Sequence, residues 1–216
     1  MNLEQMLVRS GEFDDEIFRL LDPGSYQLAN GDARIRVSAS AASLSVDHCR
    51  AVRLLIANDI IPSGAAVMRL QFEALTRAVW LLFAADDASV AVADAPLDAE
   101  SQKRASKLPG ASPMLAELAR SPAPGAAAPT AMLGRFKEMQ WAALNSFVHG
   151  GIHPLRRQSD GYPERMVVQL LECSNALLSM SGMMLAILTG STVLSARMNR
   201  VHVGFEDCLT PILPSY

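Results

Sequence analysis

Three charged side chains interrupt an otherwise apolar segment. Residues 65–85 carry Arg69, Glu73 and Arg77, each four residues after the last, and no other charge. On an α-helix these side chains share a stripe about 80° wide, which Trp80 joins. Two arrangements fit this pattern: a narrow solvent-facing strip held by i,i+4 pairing, or a partly buried triad that faces a cleft. In the second arrangement the desolvated charges need strong pairing or a bound ligand.

A second polar pair lies near the end of a predicted helix over residues 131–149. Asn145 and His149 are one helical turn apart, so their side chains can point into the same space. The opposite face is apolar and carries Met132, Phe136, Met139, Ala143 and Phe147. A histidine near a helix C-terminus also interacts favourably with the helix dipole, so His149 is either structural or part of a site. His153 is predicted to be a loop residue.

The elements that must position these groups are helical. Apolar spacing and helix-ending signals predict long helices over residues 41–58, 62–85, 131–149 and 163–188, a short one over 12–21, and helical pieces over 97–107 and 113–120. The short connection before Pro62 makes the first two long helices antiparallel. His48 lies on the first of them, and with Arg77 and Trp80 it is a candidate binding residue.

Three stretches have weaker patterns. Residues 26–37 alternate around Asn30-Gly31-Asp32, which indicates a small hairpin or an ordered loop. The Ala- and Pro-rich run near 121–130 is predicted to be a flexible loop. Residues 197–216 show no clear pattern, so their structure is left open.

Composition favours one soluble all-α domain over residues 1–216. Half of the residues are hydrophobic, 19% are charged and the net charge is −3, so no bulk positive field holds nucleic acid indiscriminately. The N-terminus lacks the apolar core of a signal peptide, and we expect a cytoplasmic protein. Residues 173–196 carry no charge but many hydroxyls. A buried core helix is therefore favoured over a membrane span there.

Several familiar chemistries have no support in the sequence. It holds no Gly-rich phosphate loop, no nucleophile elbow and no carboxylate or Cys/His spacing typical of a metal site. We therefore expect no metal and no cofactor. The three cysteines are far apart, which argues against a disulfide framework.

Three segments carry a resemblance to a known family. SLSVDHCRAV at 43–52, SGAAVMRLQFEALTRAVWLL at 63–82 and LNSFVHGG at 144–151 resemble a group of bacterial all-helical proteins similar to the HEPN superfamily, which includes abortive-infection and toxin ribonucleases. The resemblance implies an antiparallel helical bundle, a homodimer and metal-independent RNA cleavage, with His149 as general acid or base. The superfamily usually has an arginine four to six residues before this histidine. Here residues 142–145 read Ala-Ala-Leu-Asn, so the arginine is absent.

Two main hypotheses follow from this departure. Arg69 or Arg77 from the neighbouring helix can replace the missing arginine, which gives a composite catalytic set of Arg69, Glu73, Asn145 and His149. Alternatively, the chain is a non-catalytic HEPN-like module whose polar cleft binds a small ligand, an RNA or a protein partner in a toxin–antitoxin or phage-defence setting. The missing arginine slightly favours the second hypothesis. A membrane-associated helical protein is a third.

A homodimer is expected under either main hypothesis. Met180, Met183 and Met184 would pack between its subunits, or within the core of one subunit, because methionine fills irregular apolar space in both settings.

Overall fold

The protein is all-helical, as the sequence predicts. The computed structural model describes residues 1–22, 24 and 26–210, and in that part of the chain there is no strand. The α-helices, numbered in chain order, are α1 (Leu3–Leu21), α2 (Ala33–Ala57), α3 (Ile61–Phe83), α4 (Asp87–Ala93), α5 (Ala99–Ala105), α6 (Ala111–Leu118), α7 (Ala127–Val148), α8 (Ile152–Asp160), α9 (Glu164–Leu188) and α10 (Thr192–Val201). Two 3₁₀ turns, His202–Gly204 and Glu206–Cys208, follow α10.

The core is built around α3 and α9. The antiparallel pair α2 and α3 packs along its length, and Gly64 allows a close approach because a Cβ there would lie 3.1 Å from Ile56. Helix α9 packs on α1, α2, α3 and α10, while α7 lies against α3. Helix α3 therefore contacts α2, α7 and α9, and its charged stripe meets α7.

Helix α9 contains most of the uncharged stretch 173–196, for which a membrane span was the alternative to a buried core helix. In the described part of the chain it is the one helix whose length and composition suffice to cross a bilayer, and 78% of its most apolar window is buried within the protein. Its polar side chains are satisfied by neighbours: Ser174 donates to Gln71 (2.7 Å) and Ser181 to Ser45 (2.9 Å). Burial with paired polar groups is typical of a core helix.

Of the two alternatives for residues 26–37, the hairpin is wrong and the loop is confirmed only for residues 26–32. Helix α2 begins at Ala33, within that stretch. The Asp32 carboxylate accepts a hydrogen bond from the backbone N–H of Arg34 (2.7 Å). The Asn30 side-chain oxygen accepts a hydrogen bond from the backbone N–H of Asp32 (2.9 Å). The Asn-Gly-Asp run is thus a helix N-cap and not a hairpin turn, since both side chains satisfy backbone donors at a helix start.

The loop near 121–130 is shorter than predicted. Helix α7 begins at Ala127, so Pro129 occupies its first turn, where a missing N–H costs nothing. The Ser121 hydroxyl donates to the carbonyl of Phe83 (2.5 Å), so a contact to the end of α3 holds the start of this run.

The apolar face of α7 also differs from the predicted one. Leu133, Phe136 and Leu144 are buried, whereas Met139 is 55% exposed. The helix is therefore rotated so that Met139 points to solvent.

Two further segments are more regular than predicted. His153 lies on α8 and not in a loop. Residues 197–216 showed no clear sequence pattern. In the structure, α10 and the two 3₁₀ turns occupy most of residues 192–210. Residues 211–216 lie outside the described part.

Candidate functional site

The charged stripe of α3 divides into one ion pair and one separate arginine. Arg69 Nη2 lies 2.8 Å from Glu73 Oε1, and the two side chains are 14% and 32% exposed. Arg77 makes a long contact from Nη2 to the carbonyl oxygen of Pro109 (3.5 Å). Burial lowers the pKa of Arg77, and the charge of Glu73 opposes part of that shift. Arg77 is therefore a half-buried cation outside the pair.

Arg69 also reaches α7. Its Nη1 atom lies 3.5 Å from Nε2 of His149, and its guanidinium carbon lies 4.4 Å from the ring centre of Trp141. The structure thus brings together Arg69, Glu73 and His149, three of the four candidate catalytic residues.

Aromatic contacts fix α7 against α3 at this point. The Phe72 ring of α3 stacks on Phe136 at 5.0 Å and meets Trp141 edge-on at 5.9 Å. Both geometries are favourable for aromatic pairs, so they hold the two helices in the register that places Arg69 beside the end of α7.

The end of α7 presents His149 to solvent. His149 is exposed at the C-cap of α7, and its backbone N–H donates a hydrogen bond to the backbone carbonyl of Asn145 (3.0 Å). Gly150 adopts φ +63°, which favours glycine, and a Cβ on Gly151 would lie 2.6 Å from the Ser146 hydroxyl. The two glycines therefore end the helix directly after the imidazole.

Asn145, the fourth candidate catalytic residue, has a different role in this structure. It is half-buried one turn before His149, and its backbone carbonyl accepts the His149 N–H. Within the described residues, Arg69 forms its hydrogen bonds, ion pair and ring contact with Glu73, Trp141 and His149, and none of these involves the Asn145 side chain.

The remaining candidate binding residues lie apart. Trp80 is buried toward the other end of α3 and donates to the carboxylate of Glu117 (2.6 Å). His48 is half-buried on α2, where burial lowers its pKa and the neighbouring Asp47 opposes the shift. The structure does not bring Trp80 or His48 to Arg69.

Sequence reasoning missed Trp141. Lys137, Trp141, Asn145 and His149 are each four residues apart and form a stripe on α7, like the one on α3. Lys137 Nζ lies 5.8 Å from the Trp141 ring centre, so two cations lie near the indole. The four-residue repeat that contains His149 also contains Trp141, so this repeat could have identified Trp141 from the sequence.

Among the described residues, the other reactive groups form no second centre. In the part that the structure describes, no group of three or more His, Cys, Asp or Glu side chains is placed to hold a metal. Burial raises the pKa of Cys49, Cys173 and Cys208 to about 11, which leaves them as poor nucleophiles.

Arg69, Glu73 and His149, which we call the Arg–Glu–His cluster, place a guanidinium in contact with a carboxylate and an imidazole. An arginine N–H donates to Nε2 only when the imidazole is neutral, with its proton on Nδ1. Imidazole and carboxylate groups serve as general acids and bases in enzymes, and a guanidinium group binds anions.

Comparison with known proteins identifies the family. Residues 42–211 match DUF6988, a family of unknown function, and the match covers most of the chain. The chain belongs to the DUF6988 family. The whole Arg–Glu–His cluster and Trp141 lie in the region that matches DUF6988, whereas α1 precedes it. No curated protein and no solved structure matches the chain.

Proposed function

We propose that this protein is a HEPN-like endoribonuclease that needs no metal ion and whose active site is the Arg–Glu–His cluster. The observation that carries the proposal is the contact of Arg69 with both Glu73 (2.8 Å) and His149 (3.5 Å). Arg69 comes from α3 and thereby supplies the cation that residues 142–145 lack beside His149. The HEPN relationship is part of the proposal, and the three resembling segments support it.

The proposed reaction is an internal transesterification of RNA. Glu73 accepts the proton of a ribose 2′-hydroxyl, and that oxygen attacks the adjacent phosphorus. The bond from phosphorus to the 5′ oxygen breaks, and the leaving oxygen takes a proton from the His149 imidazolium. Arg69 stabilises the negative charge that develops on the phosphate oxygens. The products are a 2′,3′-cyclic phosphate and a 5′-hydroxyl, and water returns both side chains to their starting protonation states.

A phosphate bound by Arg69 lies close to the proton donor. Arg69 Nη1 lies 3.5 Å from Nε2 of His149. A phosphate that pairs with this guanidinium therefore brings its leaving oxygen near the imidazole.

The position of the cluster suits a polymeric substrate. His149 is exposed at the end of α7, and the Glu73 side chain is 32% exposed. Small-molecule sites are usually enclosed, whereas a strand of RNA needs an open surface.

One observation favours a second candidate, a non-catalytic module that binds an RNA or protein partner. Glu73 already compensates the charge of Arg69, so the cluster attracts a phosphate less strongly than a free arginine does. The resemblance suggests a toxin–antitoxin or phage-defence system as the setting of such a module. This candidate predicts partner binding that depends on Arg69 without any RNA turnover.

The two candidates separate in one assay. The protein is incubated in excess EDTA with an end-labelled RNA and with a DNA of the same sequence. We expect cleavage of the RNA alone, with 2′,3′-cyclic phosphate ends, because the attacking group is the 2′-hydroxyl. Cleavage of both strands, or linear 3′-phosphate ends from the outset, would contradict the mechanism. RNA that is bound and left intact would support the second candidate.

A second copy of the chain is the proposed partner, and α8 offers a surface for it. Ile152 and Leu155 are 64% and 65% exposed and lie on one face of α8. Val148, next to His149, extends this apolar surface. Met180 and Met184 are buried within the subunit and Met183 is half-buried, so we place the proposed dimer interface on α8 and not on these methionines.

A further inference from the structure

An apolar groove lies away from the Arg–Glu–His cluster. It has a volume of about 710 Å³ and runs between the first turns of α7, the second half of α9 and the segment from α10 to Thr210. Its volume falls in the range of small-molecule sites, about 300–1,000 Å³. The proposed RNA cleavage uses none of its residues, so the groove is a separate feature of the molecule.

Methionines dominate the wall of this groove. The apolar lining includes Met132, Met180, Met183, Met184, Ile187 and Met198. Unbranched thioether side chains adapt to ligands of different shape, and their sulfur atoms are polarisable. This wall can therefore accommodate a flexible apolar chain, and it is not selective for one rigid ligand shape.

Most polar groups of the groove lie on α10 and the turns that follow it. Asn199, His202 and Glu206 belong to this side. Glu206 is exposed, and within the described residues it forms no ion pair. Among the described residues that line the groove there is no lysine or arginine. A ligand in the groove thus meets one carboxylate, that of Glu206, and one imidazole, that of His202, but no guanidinium or ammonium group.

We propose that the groove binds a cationic amphiphile, a small molecule with an apolar chain and an ammonium group. The chain occupies the methionine-lined wall, where burial of apolar area drives binding. The ammonium lies beside Glu206 and pairs with its carboxylate. An anionic amphiphile of the same length places like charges together, and this repulsion gives the groove its selectivity.

Matched ligands test the charge preference. Decylamine, decanol and decanoate have the same chain length and differ in charge, and titration calorimetry below their micelle-forming concentrations measures each dissociation constant. We expect decylamine to bind about fivefold more tightly than decanol, which is what a partly exposed ion pair contributes, and decanoate to bind most weakly.

Two variants and one control locate the site. Glu206→Gln is expected to reduce the affinity for decylamine to that for decanol, whereas Glu138→Gln, at an exposed carboxylate on α7, leaves it unchanged. Met183→Lys is expected to abolish binding of decylamine because it places a cation in the wall. Equal affinities for the three ligands, or decylamine binding that survives Glu206→Gln, would overturn the proposal.

Other occupants give different results in the same experiments. If a second copy of the chain fills the groove, Met183→Lys converts a dimer into a monomer and the amphiphiles do not bind. If decylamine binds only after residues 211–216 are removed, that segment competes for the groove. Either result would overturn the proposal that a small cation binds the groove while residues 211–216 are present.

Discussion

Arg69 and Arg77 share a helix and a spacing from Glu73, yet their surroundings differ. Arg69 contacts a carboxylate, an indole face and an imidazole, and its Nε is buried without a hydrogen bond in the described part of the chain. Arg77 makes one long contact to a carbonyl. If the Arg–Glu–His cluster is catalytic, the two arginines must contribute differently to turnover.

Replacement of Arg69 by methionine tests its role. Arg69→Met is expected to lower kcat/KM for RNA by about 10²–10³, the usual cost of removing one transition-state donor. It should also lower the free energy of unfolding by about 1–2 kcal/mol, because the cation–π contact and the ion pair are lost. Kinetics and urea denaturation measure the two effects.

Arg77→Met is the matched control. Burial lowers the pKa of Arg77, which means that keeping its charge half-buried costs free energy, and methionine fills similar space without that cost. Turnover should stay at the wild-type level, and the free energy of unfolding should change by less than about 1 kcal/mol. Equal losses of turnover in both variants would remove Arg69 from the proposed mechanism.

The sequence could identify the charged residues but not their partners. Helical spacing places Glu73 equally far from Arg69 and Arg77, so it cannot say which arginine pairs with it. That choice depends on α7, which presents Trp141 and His149 to Arg69. Contacts between residues so distant in the chain follow from packing, which local spacing does not encode.

At the scale of elements, glycines show where helices pack most closely. Gly182 of α9 faces α1 and α10: a Cβ there would lie 3.0 Å from Ile17 and 3.2 Å from the Met198 sulfur. Gly134 of α7 has nothing within 4 Å of such a Cβ. The same substitution therefore has opposite consequences at the two positions.

Gly182→Ala is expected to destabilise the protein by about 1–3 kcal/mol, since the added methyl overpacks the core. Gly134→Ala should stabilise it by about 0.5–1 kcal/mol, because alanine loses less conformational entropy in a helix. Urea denaturation of both variants at one pH checks the signs. A neutral Gly182→Ala would mean that α9 is not held tightly against α1 and α10.

The long helices and the short helices α5 and α6 follow from the sequence, whereas α4, α8 and α10 do not. The apolar repeats of α3 and α9 span many turns, so the predicted and observed bounds nearly agree. Helices α4 and α10 are short and begin at caps, Asp86 and Ser191, with little apolar periodicity to reveal them. Helix α1 starts well before its predicted start at residue 12, at a capping box of Asn2 and Gln5 that the sequence contained.

At the scale of the whole molecule, we predict a dimer through the apolar face of α8. Leu155→Glu places a charge in that surface and should convert the dimer to a monomer. Leu97→Glu is the control, because Leu97 is 96% exposed and lies outside α8. Light scattering coupled to size-exclusion chromatography measures both masses. A wild-type monomer, or a Leu155→Glu dimer, would refute this interface.

The most direct test of the central claim compares two exposed histidines at the α7–α8 junction. His149 contacts Arg69, whereas His153 lies on α8 with its ring 6.3 Å from that of Phe147. The measurement is the rate of RNA cleavage in EDTA by His149→Ala and His153→Ala, purified identically. We predict that His149→Ala slows cleavage by about 10²–10⁴, the usual contribution of a general acid, and that His153→Ala cleaves at the wild-type rate. Wild-type cleavage by His149→Ala would contradict the account, because the activity would then come from another site or another protein.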